Sequence, residues 1–111
     1  MNALQLYELT KPLFEKHPSA KPDGLDMSLS GTHWTTQESE YDWVIIRASS
    51  AALIIQGHLA QWLAKKVNEE HHDLELEVYK GKWFVKWEPD EYQSGDTLLH
   101  ALVAACMEVA P

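Results

Sequence analysis

The sequence contains one cysteine and one arginine among its 111 residues, and it is poor in basic residues as a whole. The single thiol, Cys106, cannot form an intramolecular disulfide, and its isolation excludes a four-cysteine metal site. Nine basic residues stand against 17 acidic ones, which gives a net charge of −8. The chain therefore lacks the basic footprint of a protein that binds nucleic acid or anionic membranes directly.

Long apolar runs and cofactor motifs are also missing. No stretch approaches the roughly 20 apolar residues that a membrane-spanning helix needs, and the N-terminus lacks the basic-then-apolar layout of a signal peptide. We therefore expect a cytosolic, or cytoplasmic, protein. The sequence contains neither a glycine-rich phosphate loop nor a nucleophile elbow, so we predict no cofactor and no catalytic residues.

The chain has instead an ordinary globular share of apolar residues and five tryptophans. Tryptophan side chains bury large areas, so a small core that contains several of them can be stable. A chain of this length and composition buries about two thirds of its unfolded surface. We therefore predict one domain that spans residues 1–111.

Three segments have helical spacing. In residues 3–16, Leu6, Leu9 and Leu13 recur at that spacing, and Pro12 predicts either a kink or a break with Thr10 restarting the chain. The strongest pattern runs from about Ser50 to Asn68. Its apolar face is formed by Ala52, Ile55, Leu59, Trp62 and Leu63.

Two further features concern the helices. Gly57 costs about 1 kcal/mol relative to alanine inside the middle helix, so it predicts that another backbone packs closely there. A last helix is predicted through residues 97–109, with Asp96 or Ser94 as its cap. Two neighbouring apolar rows of this helix should meet the tryptophan side of the sheet.

Strands are predicted before and after a polar tract. Leu25, Met27 and Leu29 alternate with polar residues, as in a half-buried strand. Residues 41–48, "YDWVIIRA", fit either a buried strand or the first turns of the middle helix. Ser49 and Ser50 favour the strand, because either could cap a helix that begins after it.

The clearest strand signal is a hairpin at residues 74–87. A two-residue turn at Lys80-Gly81 would pair Val78 with Trp83 and collect six apolar side chains on one face. These are Leu74, Leu76, Val78, Trp83, Val85 and Trp87. The predicted fold class is α+β, with about three helices packed on a small antiparallel sheet that contains this hairpin, as a two-layer or helix–sheet–helix sandwich.

The other face of the hairpin carries Tyr79 and Phe84, with Lys82 and Lys86 beside them. In this register the two aromatic side chains are diagonal neighbours on the wet face. They either shield the strand ladder locally or anchor a protein partner, because rigid aromatic residues on a charged surface make good binding hot spots. We take these four residues as the candidate partner-binding set.

The histidines and the cysteine are candidates for metal binding or nucleophilic chemistry. His71 and His72 have acidic neighbours, but adjacent residues at a fraying helix end point in divergent directions, so we predict no metal site. Cys106 lies in an apolar row, which favours a buried structural thiol. A small ligand-binding site or enzyme around His33, Trp34 and Arg47 is the alternative, since an arginine at a strand end could hold a carboxylate.

Two families resemble parts of this chain. Residues 74–106, "LELEVYKGKWFVKWEPDEYQSGDTLLHALVAAC", resemble the opening unit of HicB-type antitoxins, which partner a small RNA-cleaving toxin. The longer layout is similar to small proteins of the phage ABA sandwich type, through a middle helix "ASSAALIIQGHLAQWL", a tryptophan-containing hairpin and a final helix "GDTLLHALVAAC". The second resemblance implies a helix–sheet sandwich and an origin in a phage or prophage.

These observations give one functional expectation and two alternatives. We expect a non-enzymatic interaction or accessory protein of a phage or prophage that binds a protein partner, with direct nucleic-acid binding disfavoured and a homodimer as an option. The first alternative is an acidic inhibitor, like an antitoxin, that occupies a basic nucleic-acid-binding groove. The second is the small-ligand site described above.

Overall fold

Helices and short strands follow one another along the chain in the computed structural model, which describes residues 1–88 and 91–109. The fold is α+β, as predicted, and its three helices come with two antiparallel sheets of three strands each in this part of the chain. Contacts group the chain into two compact units, unit 1 (Met1–Ile55) and unit 2 (Gln56–Pro111). The single domain over residues 1–111 stays a prediction. The elements are α1 (Ala3–Lys16), a short 3-10 helix (Pro18–Ala20), β1 (Leu25–Met27), β2 (Trp34–Gln37), β3 (Trp43–Ile46), α2 (Ala48–Glu69), β4 (Glu75–Tyr79), β5 (Lys82–Glu88), β6 (Glu91–Gly95) and α3 (Leu98–Glu108).

Helix α1 opens unit 1 with a capping box. The side chain of Asn2 accepts from the Gln5 amide, and the Gln5 side chain accepts from the Asn2 amide, each at 2.8 Å. This reciprocal pair satisfies two amides that would otherwise lack partners. The predicted break is wrong, because one helix runs through Pro12, and the Thr10 hydroxyl donates to the Leu6 carbonyl at 2.9 Å within it.

The sheet of unit 1 has the order β1-β2-β3, with Trp34 opposite Met27 and Ile46. Residues directly opposite each other share a face, so Leu25, Trp34 and Ile46 define the inner face. Trp34 is only 2% exposed, and its indole N–H donates to the Ala3 carbonyl at 3.2 Å. Strand β2 was not predicted, because its threonines and glutamine read as part of the polar tract. The predicted first strand is shorter than expected, since Leu29 lies beyond β1 and is fully exposed.

The strand prediction for residues 41–48 is confirmed, although the strand is not buried. β3 covers Trp43–Ile46 and α2 starts at Ala48. The helix is entered at Arg47, whose carbonyl accepts from the Ala51 amide at 3.0 Å. Ser49 and Ser50 therefore lie inside the first turn, and their predicted role as caps is wrong.

Helix α2 buries one residue per turn along a single row. The row is Ala51, Ile55, Leu59, Leu63 and Val67, at successive i, i+4 positions. The predicted face is shifted slightly, because Ala52 and Trp62 are only half-buried. The close approach predicted at Gly57 is wrong: the position is exposed, and a Cβ built there would meet nothing within 4 Å.

The sheet of unit 2 has the order β4-β5-β6, and the hairpin register is confirmed. Val78 lies opposite Trp83, and the turn residues Lys80 and Gly81 have φ values of 50° and 78°. Two consecutive positive φ values are the signature of the tight turn that matches strand twist. The third strand, β6, was not predicted, because residues 88–95 are acidic and polar and are typical of a turn; positions 89 and 90 lie outside the described residues.

Helix α3 packs on β5 and β6. Thr97 is its N-cap, in place of the predicted Asp96 or Ser94, and its hydroxyl oxygen accepts from the His100 amide at 3.1 Å. Gly95, which shares a face with Trp83, lies so close to α3 that a Cβ there would be 2.7 Å from the Ala101 nitrogen. The predicted contact between the last helix and the tryptophan side is therefore confirmed.

The apolar face of the hairpin is covered only in part. Val85 and Trp87 on β5 are buried, whereas Leu76 and Val78 on the edge strand β4 are exposed. The six apolar side chains predicted on one face are therefore not all buried. The face continues beyond the strands on which α3 packs.

Candidate functional site

The side of the unit 2 sheet that points away from α3 is here called the outer face. Its three aromatic residues come from three strands: Tyr79 from β4, Phe84 from β5 and Tyr92 from β6. Phe84 is opposite Glu77 and Ser94, and Tyr92 is opposite Lys86, so each aromatic is displaced by two residues from the next. Such positions are diagonal neighbours across strands. We call Tyr79, Phe84 and Tyr92 the aromatic diagonal.

The aromatic diagonal is accessible to a partner. Tyr79 is 58% exposed and Tyr92 is 53% exposed, whereas Phe84 between them is half-buried. The ring centroids of Phe84 and Tyr92 are 5.9 Å apart and the rings are inclined at 51°, within the range of a favourable aromatic pair. The three rings surround a depression of about 380 Å³, completed by Glu77 and Lys86.

Charged groups frame the depression. Lys86 Nζ donates to Glu77 Oε2 at 2.6 Å, and this hydrogen bond together with the carboxylate charge raises the pKa of Lys86 above its usual value. Lys80 Nζ lies 5.3 Å from the centre of the Tyr79 ring, and Lys82 is exposed opposite Tyr79. The outer face thus combines aromatic surface with charges of both signs, a composition suited to recognising another protein.

The four residues predicted as a partner-binding set all lie on this face: Tyr79 and Lys82 lie opposite each other, Phe84 lies in the next row, and Lys86 in the row after it. Tyr92 was missed, because β6 is polar and reads as a turn. Its alternation of Tyr92 and Ser94 with Gln93 and Gly95 was the available signal, but neither set is apolar enough to indicate a strand.

The alternative ligand set lies in unit 1. The antiparallel register brings the residues just before Trp34 and just after Ile46 to the same end of the β2–β3 pair, and these are His33 and Arg47. His33 Nδ1 is 3.1 Å from the Thr32 hydroxyl, and Arg47 is exposed. The Trp34 indole belongs to the buried inner face, so it is not presented to solvent with the other two.

Three groups in unit 2 could hold a metal ion: Glu70, His72 and Glu88 each offer one ligand atom, and these atoms lie within 4.8 Å of one another. Cys106, by contrast, is buried, and desolvation raises the pKa of its thiol to about 12. A neutral buried thiol fits the predicted structural role and is a poor nucleophile.

In comparisons by sequence and by structure, no family model, no curated protein and no solved structure matches the chain. Among the helices within residues 1–88 and 91–109, none has the length and apolar character needed to cross a membrane.

Proposed function

We propose that this protein is a non-enzymatic interaction protein that binds a protein partner through the aromatic diagonal. The observation that carries the proposal is the exposure of Tyr79 and Tyr92 on either side of a half-buried Phe84, around a depression of about 380 Å³. Rigid aromatic side chains bury a large area at a small entropic cost, which is why they dominate binding hot spots.

The position of these residues supports the proposal. The other side of the same sheet already carries α3, so the aromatic diagonal is not needed to hold that helix in place. Glu77 and Lys86 hold each other beside the depression and so form a charged rim around an aromatic centre. An aromatic centre with a polar rim is the usual anatomy of a protein–protein contact.

The acidic-inhibitor alternative receives less support from this surface. A protein that imitates nucleic acid presents carboxylates, whereas the outer face carries Lys80, Lys82 and Lys86 alongside Glu75 and Glu77. The resemblance to phage proteins favours an accessory protein of a phage or prophage that acts in the cytoplasm of its host. This origin and location are part of the proposal.

Affinity capture from the source organism's lysate, with and without nuclease, tests the proposal. The bait is compared with the double variant Tyr79→Ala/Tyr92→Ala and with Tyr41→Ala, a control because Tyr41 is a tyrosine outside the aromatic diagonal that is 85% exposed. We expect a protein that binds the wild type and the control equally. The double variant should bind it at least about 30-fold more weakly, as loss of a hot spot predicts.

Two results would contradict the proposal. One is capture that the double variant leaves unchanged, which would place the contact elsewhere. The other is the absence of any specific protein together with stabilisation by a small molecule in a melting screen, which would favour the ligand-binding alternative. Melting temperatures of both variants should be measured first, so that weaker binding is not confused with unfolding.

A further inference from the structure

The segment that follows α2 is shaped by a closed helix end. The His72 amide donates to the Val67 carbonyl and the His71 amide to the Asn68 carbonyl, both at 3.0 Å, while His71 has a φ of 65°. This pair of bonds is the Schellman arrangement, with His71 at the left-handed position that glycine usually occupies. The chain therefore reverses at His71 instead of fraying, and the direction of the next side chain is fixed.

The reversal brings Glu70 and His72 to the end of strand β5. His72 Nε2 lies 3.2 Å from Glu88 Oε1, and one ligand atom from each of the three residues lies within 4.8 Å of the other two. The prediction of no metal site rests on the assumption that neighbouring side chains diverge. That assumption fails here for Glu70 and His72, because they are two residues apart on either side of the left-handed residue.

The spacing suits a small divalent ion. Three atoms that lie within 4.8 Å of one another always leave a point that is no more than about 2.8 Å from each of them, and zinc bonds to carboxylate oxygen or imidazole nitrogen are about 2.0–2.2 Å long. Side-chain adjustments of less than about 1 Å would therefore bring all three atoms to bonding distance of one ion. Glu70 is exposed and the other two residues are half-buried, so an ion can reach all three from solvent.

We propose that Glu70, His72 and Glu88 bind a divalent transition-metal ion of the zinc type. An imidazole nitrogen with two carboxylates is a donor set that zinc accepts, whereas magnesium and calcium prefer oxygen ligands alone. The two carboxylates balance the charge of the ion. Concavities of about 390 and 230 Å³, which both include Glu88 in their walls, leave room for water at the remaining coordination position.

The proposed ion joins two parts of unit 2. Glu70 and His72 follow α2, and Glu88 ends β5, so one ion would fix the helix end to the sheet. An ion that binds the folded chain and not the unfolded one raises the melting temperature with its concentration. A hundredfold excess over the dissociation constant should raise it by roughly 10 °C in a chain of this size.

Zinc titration of tag-free, chelator-treated protein tests the proposal, with affinity measured by calorimetry and stability by melting. His72→Gln should weaken zinc binding at least tenfold and abolish most of the rise in melting temperature. His71→Asn is the matched control, because it removes the adjacent imidazole and keeps a residue that tolerates a left-handed backbone. Glu88→Gln should behave like His72→Gln, and Glu69→Gln, which alters an acid outside the cluster, should behave like the wild type.

Equal losses of zinc affinity in His71→Asn and His72→Gln would overturn the proposal, because they would mean that zinc binds surface histidines without a defined site. Binding of calcium or magnesium as tightly as zinc would also overturn it. X-ray absorption of the zinc form should show a nitrogen–oxygen shell with one imidazole, and a shell without imidazole would contradict the assignment. If His72→Gln does not fold by circular dichroism, the Glu88→Gln and Glu69→Gln pair decides the matter.

Discussion

The two sheets within residues 1–88 and 91–109 have the same number of strands and the same antiparallel pairing but use their apolar residues differently. In unit 1 the middle strand β2 buries Trp34 on one face of the sheet. The edge strand β3 exposes Trp43 and Ile45 on the other face. In unit 2, α3 packs on β5 and β6, and the edge strand β4 exposes Leu76 and Val78. In both sheets, an apolar side chain on the outermost strand remains in contact with solvent.

The comparison shows what alternation along a strand does and does not determine. Alternation places Val78 and Val85 on the same face of the unit 2 sheet, yet Val85 is buried and Val78 is exposed. A side chain is buried only where another element covers it, and a helix about 10 Å wide cannot cover every strand of a sheet. Strand pattern therefore predicts the face, and the position of the helix determines burial.

The largest expected effect separates the two tryptophans of the unit 1 sheet. Trp34→Ala should lower the free energy of unfolding by about 3–5 kcal/mol, because it removes a buried ring and leaves a cavity. Trp43→Ala on the neighbouring strand should cost about 1 kcal/mol or less, since Trp43 is about half exposed. Chemical denaturation of both variants, with circular dichroism as the probe, measures the difference.

This tryptophan comparison has a clear contrary outcome. If Trp43→Ala lowered the free energy of unfolding as much as Trp34→Ala, β3 would be covered in solution, for example by a second copy of the chain. Denaturation at several protein concentrations would then distinguish the two cases, because the stability of a dimer rises with concentration.

The next largest effect on the free energy of unfolding is expected from substitutions at two glycines of unit 2. Gly95→Ala should lower the free energy of unfolding by about 1–3 kcal/mol, because its Cβ would meet the Ala101 nitrogen at 2.7 Å and the His100 Cβ at 2.8 Å. Gly57→Ala should instead raise it by up to about 1 kcal/mol, since the helix gains alanine's propensity in open space. Opposite shifts in the denaturation midpoint would support the packing described. Destabilisation by Gly57→Ala would contradict the open space around Gly57 on α2.

A third prediction uses Cys106, which is a buried residue of helix α3. Its folded-state pKa of about 12 lies above the ordinary thiol value, so the unfolded chain loses the proton first as pH rises. The contribution of this thiol to the free energy of unfolding is fully present below about pH 8.5. Above that pH it falls by up to about 1.4 kcal/mol per pH unit. Denaturation at pH 8 and pH 10 should show a steeper loss for the wild type than for Cys106→Ala, and equal slopes would contradict burial of the thiol.

Local signals explain which parts of the fold could be predicted from the sequence. The β4–β5 register follows from a two-residue turn and from side chains that alternate on both strands, so every pair in the ladder was predictable. Strands β2 and β6 were missed, because a strand between or beside others needs no apolar alternation when its partners supply the hydrogen bonds. The start of helix α2 was misplaced at Ser49 and Ser50. The helix begins at Ala48, almost directly after β3, so the capping propensity of the two serines does not determine where it starts.

The residues of the candidate sites were predictable only where the element that carries them was predictable. Tyr79 and Phe84 were found because their strands were found, whereas Tyr92 depended on the undetected β6. The cluster of Glu70, His72 and Glu88 joins a helix end to a strand end that is distant in sequence. Its formation depends on the left-handed conformation of His71, and a histidine in that position gives no sequence signal comparable to glycine.

The smallest expected effect concerns the outer face itself. Tyr92→Ala should lower the free energy of unfolding by only about 1 kcal/mol or less, because the ring is half exposed and loses mainly its contact with Phe84. Tyr41→Ala, at a more exposed position, should change it by about 0.5 kcal/mol or less. If Tyr92→Ala costs more than about 2 kcal/mol, the outer face is a second apolar core, and the comparison between a covered and a free face of this sheet fails. A small loss in denaturation, together with weaker binding to the partner, would instead identify the aromatic diagonal as surface retained for recognition, because residues that contribute little to stability but much to binding are expected only at an interface.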